Sequence, residues 1–257
     1  YKTNNMNETI KNMNNIKKYQ NEIFFLLKKI TEKQSNKFIE IAKEFYTTYK
    51  SDGMIYIFGT GHSHMLAEEG HFRAGGFAPI CPILNSDLML HKNTIFSSVL
   101  ERREGVATKF LKKYKIQSKD ILVIFTNSGV NQAPLEAAYF AKKIKCKTVG
   151  VSSENYSKIA KKSKYQKKLS EVVNYHIDNF GPPGDALINI KNKYNVSPFS
   201  TIAGSFILNS ILSEVAELAK NDKPFPFYIS GNMPNAEKHN KELMKNYIKR
   251  NPHIQNF

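Results

Sequence analysis

The chain has 257 residues and is 41% hydrophobic, enough for a substantial core in one α/β domain with an added helical arm. No run of about 18 apolar residues occurs and the Lys/Asn-rich start lacks the apolar core of a signal peptide, so we expect a cytoplasmic protein without a membrane span. The net charge of +16 would suit a nucleic-acid or membrane partner, but lysine is spread along the whole chain and we expect neither partner.

The densest lysine run, residues 157–168, carries no nucleic-acid-binding signature and predicts a solvated helix face that helps to attract anionic ligands. Cys81 and Cys146 do not have the spacing of metal ligands. A single cysteine pair is weak support for an oxidised scaffold, so we expect both thiols to be reduced and buried.

The first 50 residues are predicted to form an N-terminal helical arm of two helices, between Asn7 and Tyr49. Apolar residues recur there at helical spacing in two groups: Ile16, Ile23, Leu26, Leu27 and Ile30, then Phe38, Ile41, Ala42 and Phe45. Two helices cannot cover this stripe by themselves, so we expect it to pack on the following domain and on a second subunit. The protein is therefore expected to be a homodimer or a higher homo-oligomer.

Residues 51–222 alternate short apolar runs with helix-length segments. Strands without polar alternation, separated by helices, are typical of a parallel sheet that is covered on both faces. We predict an α/β fold, a three-layer αβα sandwich with a central parallel five-stranded sheet. The five predicted strands lie within residues 54–58, 79–84, 121–125, 147–151 and 172–178.

The remainder of the chain is predicted as loops and two helices. The sequence GPPGD at 181–185 is typical of a loop, and residues 200–220 predict a buried helix with Ser200 as its N-cap. Residues 223–257 form a third predicted region, a loop followed by an amphipathic helix from Ala236 to Tyr247 that completes the site or the dimer.

Two loops that follow predicted strands have matching chemistry. GTGHS (59–63) and TNSGVN (126–131) each place hydroxyl side chains and backbone N–H groups before a helix, an arrangement that suits a phosphate. The chain has no GK[ST] P-loop, and His64 stands where a dinucleotide fingerprint needs its third glycine. Ordinary strand-to-helix turns remain the alternative, but two hydroxyl-rich loops favour phosphate.

These loops, the helix after the second one (TNSGVNQAPLEAAYFAKK) and the Ser200-Thr201 helix start together resemble the sugar isomerase (SIS) domain. The whole chain is similar to the uncharacterised UPF0309 group of SIS proteins. SIS proteins bind phosphosugars, and the resemblance implies a small-molecule sugar phosphate as the partner, without a cofactor. The substrate-binding residues that it implies are Gly61, His62, Ser63, Thr126, Ser128, Gly129, Asn131, Ser200 and Thr201. Asn131 stands where SIS proteins usually have Ser or Thr.

Isomerisation of a sugar phosphate needs an acid or base that moves a proton between C1 and C2. The helix after the first loop supplies Glu68 and Glu69 as candidate catalytic residues. His64, Glu68 and His71 share one helix stripe, which is either an acid/base cluster or part of a metal site. Phosphoheptose isomerases, which are SIS enzymes, use a metal bound from this helix, but their His-then-Glu pattern is not matched here. We therefore predict no metal.

Two further catalytic candidates come from the resemblance. The segment ERREGVA (101–107) contains Glu101 and Glu104, and its Glu104-Gly105 pair is similar to the glutamate-glycine of N-acetylmuramic acid 6-phosphate etherases. A glutamate in a first helical turn is also favoured without any function. SIS enzymes commonly borrow a histidine from a neighbouring subunit, and His239 is the candidate for this role.

Three functions remain open at this point. The first is a phosphosugar isomerase in which Glu69 or Glu104 moves the proton and His239 assists ring opening. The second is an etherase-like lyase that acts on an amino-sugar 6-phosphate. The third is a sensor that binds a phosphosugar without turning it over.

Overall fold

A computed structural model describes residues 14–254 and contains the predicted five-stranded parallel sheet. The strand order is β2-β1-β3-β4-β5, and helices cover both faces. The predicted α/β fold is confirmed. The strands are β1 Ile55–Gly59, β2 Ile80–Pro82, β3 Ile121–Phe125, β4 Lys147–Ser152 and β5 Tyr175–Asp178.

The sheet residues are apolar at consecutive positions because both faces are buried. In β1, Ile55 and Ile57 join the core on one face, whereas Tyr56 and Phe58 join the core on the other. Both cysteines are buried and free, as expected from the sequence.

Eight α-helices surround the described sheet, and none of those between residues 14 and 254 is long and apolar enough to cross a membrane. They are α1 Asn15–Lys50, α2 Met65–Gly70, α3 Thr94–Leu100, α4 Val106–Leu111, α5 Gln132–Lys143, α6 Glu154–Ile159, α7 Ser200–Leu218 and α8 Ala236–Tyr247. A short 3-10 helix, Gly61–His64, precedes α2.

The prediction of two helices in the arm is wrong, because α1 is one continuous helix of 36 residues. Its buried stripe runs through Leu26, Ile30, Gln34 and Phe38 at intervals of four residues. Gln34 is 8% exposed, so a polar residue occupies a core position and the buried stripe continues through it. Helix α1 packs along α7 and shares the core of the sheet; residues 1–13 of the predicted arm lie outside the described residues.

Ser200 is the first residue of α7 and not its N-cap, which corrects the sequence prediction. The carboxylate of Asp185 accepts hydrogen bonds from the Ser200 backbone N–H (2.8 Å) and from the Ser200 hydroxyl (2.6 Å). Asp185 has φ +66° and lies at the end of the predicted 181–185 loop. A carboxylate at this position satisfies helix N–H groups and favours the positive end of the helix dipole.

An antiparallel hairpin that the sequence analysis did not identify follows this loop. It consists of β6 Ala186–Ile190 and β7 Tyr194–Pro198. Lys191 and Asn192 in its turn both have φ +52°, the left-handed conformation that short hairpin turns often require.

The C-terminal segment is fastened to the amino end of the sheet by Arg250. The Asp120 side chain is fully buried, and it accepts hydrogen bonds from the backbone N–H of Met54 (2.9 Å) and from the guanidinium of Arg250. Arg250 also donates to the carbonyls of Asp52 and Lys115. A paired and fully hydrogen-bonded buried carboxylate is stable, whereas removal of its partner is costly.

Candidate functional site

The two predicted phosphate loops lie side by side at the carboxyl edge of the sheet. Strands β1 and β3 pair in parallel, with Gly59 opposite Phe125, so the segments after them leave the sheet together. The chain continues from β1 to β2 on one side and from β3 to β4 on the other. In a sheet of this order, ligands bind at this reversal of direction.

The first loop is a tight turn that depends on two glycines. A Cβ at Gly59 would lie 2.3 Å from the Ser63 carbonyl oxygen, and Gly61 has φ +57°. The Ser63 N–H donates to the Thr60 carbonyl at 3.1 Å, which closes the turn. The predicted residues Gly61, His62 and Ser63 therefore lie together where β1 passes into the 3-10 helix.

The second loop has a fixed amide direction at Asn127. The Gly181 N–H donates to Asn179 Oδ1 (2.9 Å), so the Asn179 Nδ2 group is the one that donates to Asn127 Oδ1 (3.0 Å). The remaining group of Asn127 is its Nδ2, a donor. Gly129 has φ +66°, and a Cβ there would lie 2.9 Å from the Ser152 hydroxyl oxygen, so the loop conformation requires glycine.

Several buried polar atoms around the loops have no hydrogen-bond partner within residues 14–254. In and after the second loop these atoms are Asn127 Nδ2, Ser128 Oγ and Gln132 Oε1, and after the first loop His64 Nδ1. Buried polar groups are nearly always hydrogen-bonded, and leaving one unpaired costs about 1–3 kcal/mol. Unpaired groups that converge on two adjacent loops are typical of a site that binds a polar ligand.

Glu101 joins the two loops, a contact that the sequence analysis missed because it selected Glu104 from the same segment. The Thr60 hydroxyl donates to Glu101 Oε2 (2.8 Å), and the Asn131 amide donates to Oε1 (3.2 Å). Arg102 Nη1 lies 3.2 Å from Oε1. Both carboxylate oxygens are therefore engaged, and Glu101 acts as a clamp that sets the distance between the loops.

A basic cavity of about 450 Å³ opens beside the second loop. Ser128 and Asn131 contribute to its wall, and the cationic side chains in its lining are Arg102, Lys161, Lys162 and Lys164. The lysines belong to the basic run, but the predicted helix face is wrong, because α6 ends at Ile159 and the run continues as a loop. These cations give the cavity a positive potential that favours anions.

A second cavity, of about 430 Å³, lies beside the first loop; we call it the loop-one cavity. Gly61 and His62 form one wall, His64, Met65 and Glu68 form the next, and residues 89–91 close the far side. Glu68 is exposed and faces this cavity from the second turn after the loop.

Comparison with known proteins gives the family. The SIS domain family model matches residues 18–153. The chain belongs to the SIS domain family. A UPF0309 protein of Brucella canis is 37% identical over 239 residues, which cover 92% of this chain and 98% of that relative.

Two solved structures share this SIS fold at low identity. The phosphoheptose isomerase GmhA from Neisseria gonorrhoeae has a TM-score of 0.51 and 13% identity, covering 79% of this chain and 97% of that chain. A protein of E. coli CFT073 in complex with a sugar phosphate has a TM-score of 0.53 and 12% identity, covering 81% and 92% respectively. At these identities the similarity establishes the fold alone.

In this SIS protein the other predicted catalytic side chains are engaged away from the two loops. Glu69 pairs with Arg73 and accepts a hydrogen bond from Asn209 (3.2 Å) on α7. Glu104 is exposed and pairs with Lys164 at 2.8 Å. That ion pair lowers the pKa of Glu104, which suits an ionised surface group.

His239 and the start of α7 also have partners within the chain. The Phe227 carbonyl lies 2.9 Å from His239 Nε2 and can only accept, so Nε2 carries the proton. The Ser200 hydroxyl is bound to Asp185, while Thr201 follows it half-buried in the first turn of α7.

Thr126, the first residue of the second loop, is buried and donates its N–H to the Val151 carbonyl (3.1 Å). Within residues 14–254, no three His, Cys, Asp or Glu side chains lie close enough together to hold a metal ion.

Proposed function

We propose that this protein binds a sugar phosphate at the carboxyl edge of β1 and β3 and isomerises it between aldose and ketose. The observation that carries the proposal is the pair of unpartnered donors in the second loop, Asn127 Nδ2 and Ser128 Oγ. Phosphate oxygens accept several hydrogen bonds at once, so a phosphate would satisfy both donors together with the backbone N–H groups of the turns.

The charge distribution supports the same ligand. A phosphate monoester carries close to two negative charges at neutral pH, and the cations around the second loop, Arg102, Lys161 and Lys162 among them, favour its approach. The solved structures of the same fold fit this proposal, since one is a phosphoheptose isomerase and another is in complex with a sugar phosphate.

Glu68 is the carboxylate that we propose as the base. It faces the loop-one cavity, whereas Glu69 is bound to Arg73 and Glu104 to Lys164. Glu68 would take the C2 proton of an open-chain aldose as the C–H electron pair forms an enediol double bond and the C1 carbonyl oxygen becomes an alkoxide. Return of the proton to C1 then leaves a carbonyl at C2.

The role of His239 in ring opening requires a second copy of the chain in this proposal. Within one copy its Nε2 proton is bound to the Phe227 carbonyl, so Nδ1 is the nitrogen available to a sugar ring. A protein that is monomeric in solution would exclude this part of the mechanism.

Binding is tested by thermal shift with glucose 6-phosphate, ribose 5-phosphate and N-acetylglucosamine 6-phosphate, each beside its unphosphorylated sugar. A ligand that binds the native state raises the melting temperature, and we expect a rise with phosphorylated members alone. Ser128→Ala should weaken this response. Ser213→Ala is the matched control, because Ser213 is exposed and its hydroxyl is bound to its own helix. No response to any sugar phosphate would overturn the proposal.

Catalysis is tested by NMR in D2O, where isomerisation replaces the transferred C–H proton with deuterium. Glu68→Gln should abolish exchange and keep binding, while Glu104→Gln should retain both. Exchange that survives in Glu68→Gln would show that another residue is the base. Binding without exchange in the wild-type protein would identify a sensor, and release of lactate from muramic acid 6-phosphate would identify a lyase.

A further inference from the structure

His64 has a defined tautomer because of one backbone hydrogen bond. Its side chain is buried beneath the first loop, and its residue exposure is 2%. The backbone N–H of Asn85 donates to His64 Nε2 at 3.1 Å. A ring nitrogen that accepts a hydrogen bond carries no proton, so the proton of the neutral ring lies on Nδ1.

The Nδ1–H group of His64 is a donor without an acceptor among residues 14–254. Burial lowers the pKa of His64 to about 4, an effect that its own carbonyl opposes weakly. The ring is therefore neutral at physiological pH and keeps one N–H to donate.

The ring lines the loop-one cavity, beside the turn that is proposed to hold the phosphate. Glu68 lies four residues later on the same wall, one helical turn away. Met89, Leu90 and His91 close the opposite side, so the cavity has apolar as well as polar walls. A mixed wall of this kind suits the carbon skeleton and hydroxyl groups of a sugar better than a second anion.

We infer that the loop-one cavity is the sugar subsite and that His64 donates its Nδ1 proton to an uncharged oxygen of the sugar, a carbonyl or a hydroxyl. This assignment rests on the proposed function, because the phosphate in the adjacent loop brings the sugar to the cavity. His64 is then a residue that selects sugar phosphates over phosphate alone. A neutral donor also polarises a carbonyl without competing with Glu68 for the proton.

The experiment uses two variants that each keep one ring nitrogen's role. His64→Gln places an amide oxygen where Nε2 accepts from Asn85 and has no donor at the Nδ1 position. His64→Asn keeps a donor near Nδ1 and loses the acceptor. Binding of glucose 6-phosphate, ribose 5-phosphate, N-acetylglucosamine 6-phosphate and inorganic phosphate is measured by titration calorimetry for the three proteins.

We expect His64→Gln to bind the sugar phosphate about five- to tenfold more weakly, the loss that corresponds to one hydrogen bond, with phosphate affinity unchanged. His64→Asn should keep more of the preference for sugar phosphate. In the wild-type protein, ¹⁵N NMR of the ring should show Nδ1 protonated, and sugar phosphate should move the Nδ1 proton downfield where inorganic phosphate does not.

The outcomes separate the two proposals. Wild-type protein that binds no sugar phosphate overturns the proposed function and this assignment together. Equal affinity of the wild-type protein and His64→Gln for a sugar phosphate overturns the assignment alone. A parallel loss of affinity for sugar phosphate and inorganic phosphate in both variants would mean that His64 only supports the loop, and this also overturns it.

Discussion

The Thr60 hydroxyl donates to the Glu101 carboxylate at 2.8 Å, across 41 positions of sequence. The other oxygen of the same carboxylate accepts from Asn131, so one side chain holds both loops. The spacing of the loops thus depends on a residue that belongs to neither.

Glu101→Gln should loosen this contact. Glutamine keeps an acceptor for Thr60, but its amide nitrogen faces the Asn131 amide, so one hydrogen bond is lost. We expect a loss of about 1 kcal/mol in the free energy of unfolding and severalfold weaker binding of sugar phosphate. Urea denaturation and calorimetry measure the two effects. Glu104→Gln, which removes an exposed ion pair, should change stability little; equal effects of the two variants would contradict the clamp.

Gly129→Ala should destabilise the second loop strongly. The residue has φ +66°, and its new Cβ would lie 2.9 Å from the Ser152 hydroxyl oxygen. Gly184→Ala is the matched control, because Gly184 has φ +78° with no atom within 4 Å of the new Cβ. The control should lose about 1 kcal/mol from left-handed strain, and Gly129→Ala should lose more in urea denaturation. Equal losses would show that the Ser152 contact has no cost.

Stability should fall as the pH decreases from about 6.5 to about 4. Burial lowers the pKa of both His64 and His71 to about 4, and also lowers the pKa of His176 and His253. Between these pH values the unfolded chain binds more protons than the folded chain, so the free energy of unfolding decreases with pH. Urea denaturation across this range measures the slope. His71→Gln should make it shallower than in the wild type, and an unchanged slope would contradict the prediction.

Asp185→Ala should weaken the start of α7. The carboxylate accepts from the Ser200 N–H and hydroxyl, and loss of an N-terminal capping group costs about 1–2 kcal/mol. Asp185→Asn keeps an acceptor and tolerates the positive φ, so it should retain most of the stability. Thermal and urea unfolding of the two variants compare them. An alanine variant as stable as the asparagine variant would show that the contact contributes nothing.

The sheet was predictable because strands buried on both faces must be apolar at consecutive positions. The single long helix α1 was not, because Gln34 places a polar side chain in the buried stripe between Ile30 and Phe38. The hairpin was missed although Lys191 and Asn192 stand between two alternating segments, since most of its β7 residues are exposed and polar.

In the candidate site, the loop motifs were readable because hydroxyl and glycine residues follow strands directly. The clamp was not, because the choice between Glu101 and Glu104 depends on how the chain folds back after α3. The tautomer of His64 likewise depends on the Asn85 backbone, which is 21 residues away.

The pairing of Asp120 with Arg250 has a consequence for synthesis of the chain. A ribosome adds Asp120 and its strand 130 residues before Arg250, so the nascent sheet carries an unneutralised carboxylate at its amino end while the second half is made. Burial of that charge alone is unfavourable, and final closure of the core therefore awaits the arrival of Arg250. Folding on the ribosome should stall at a loosely packed stage until this arginine leaves the exit tunnel.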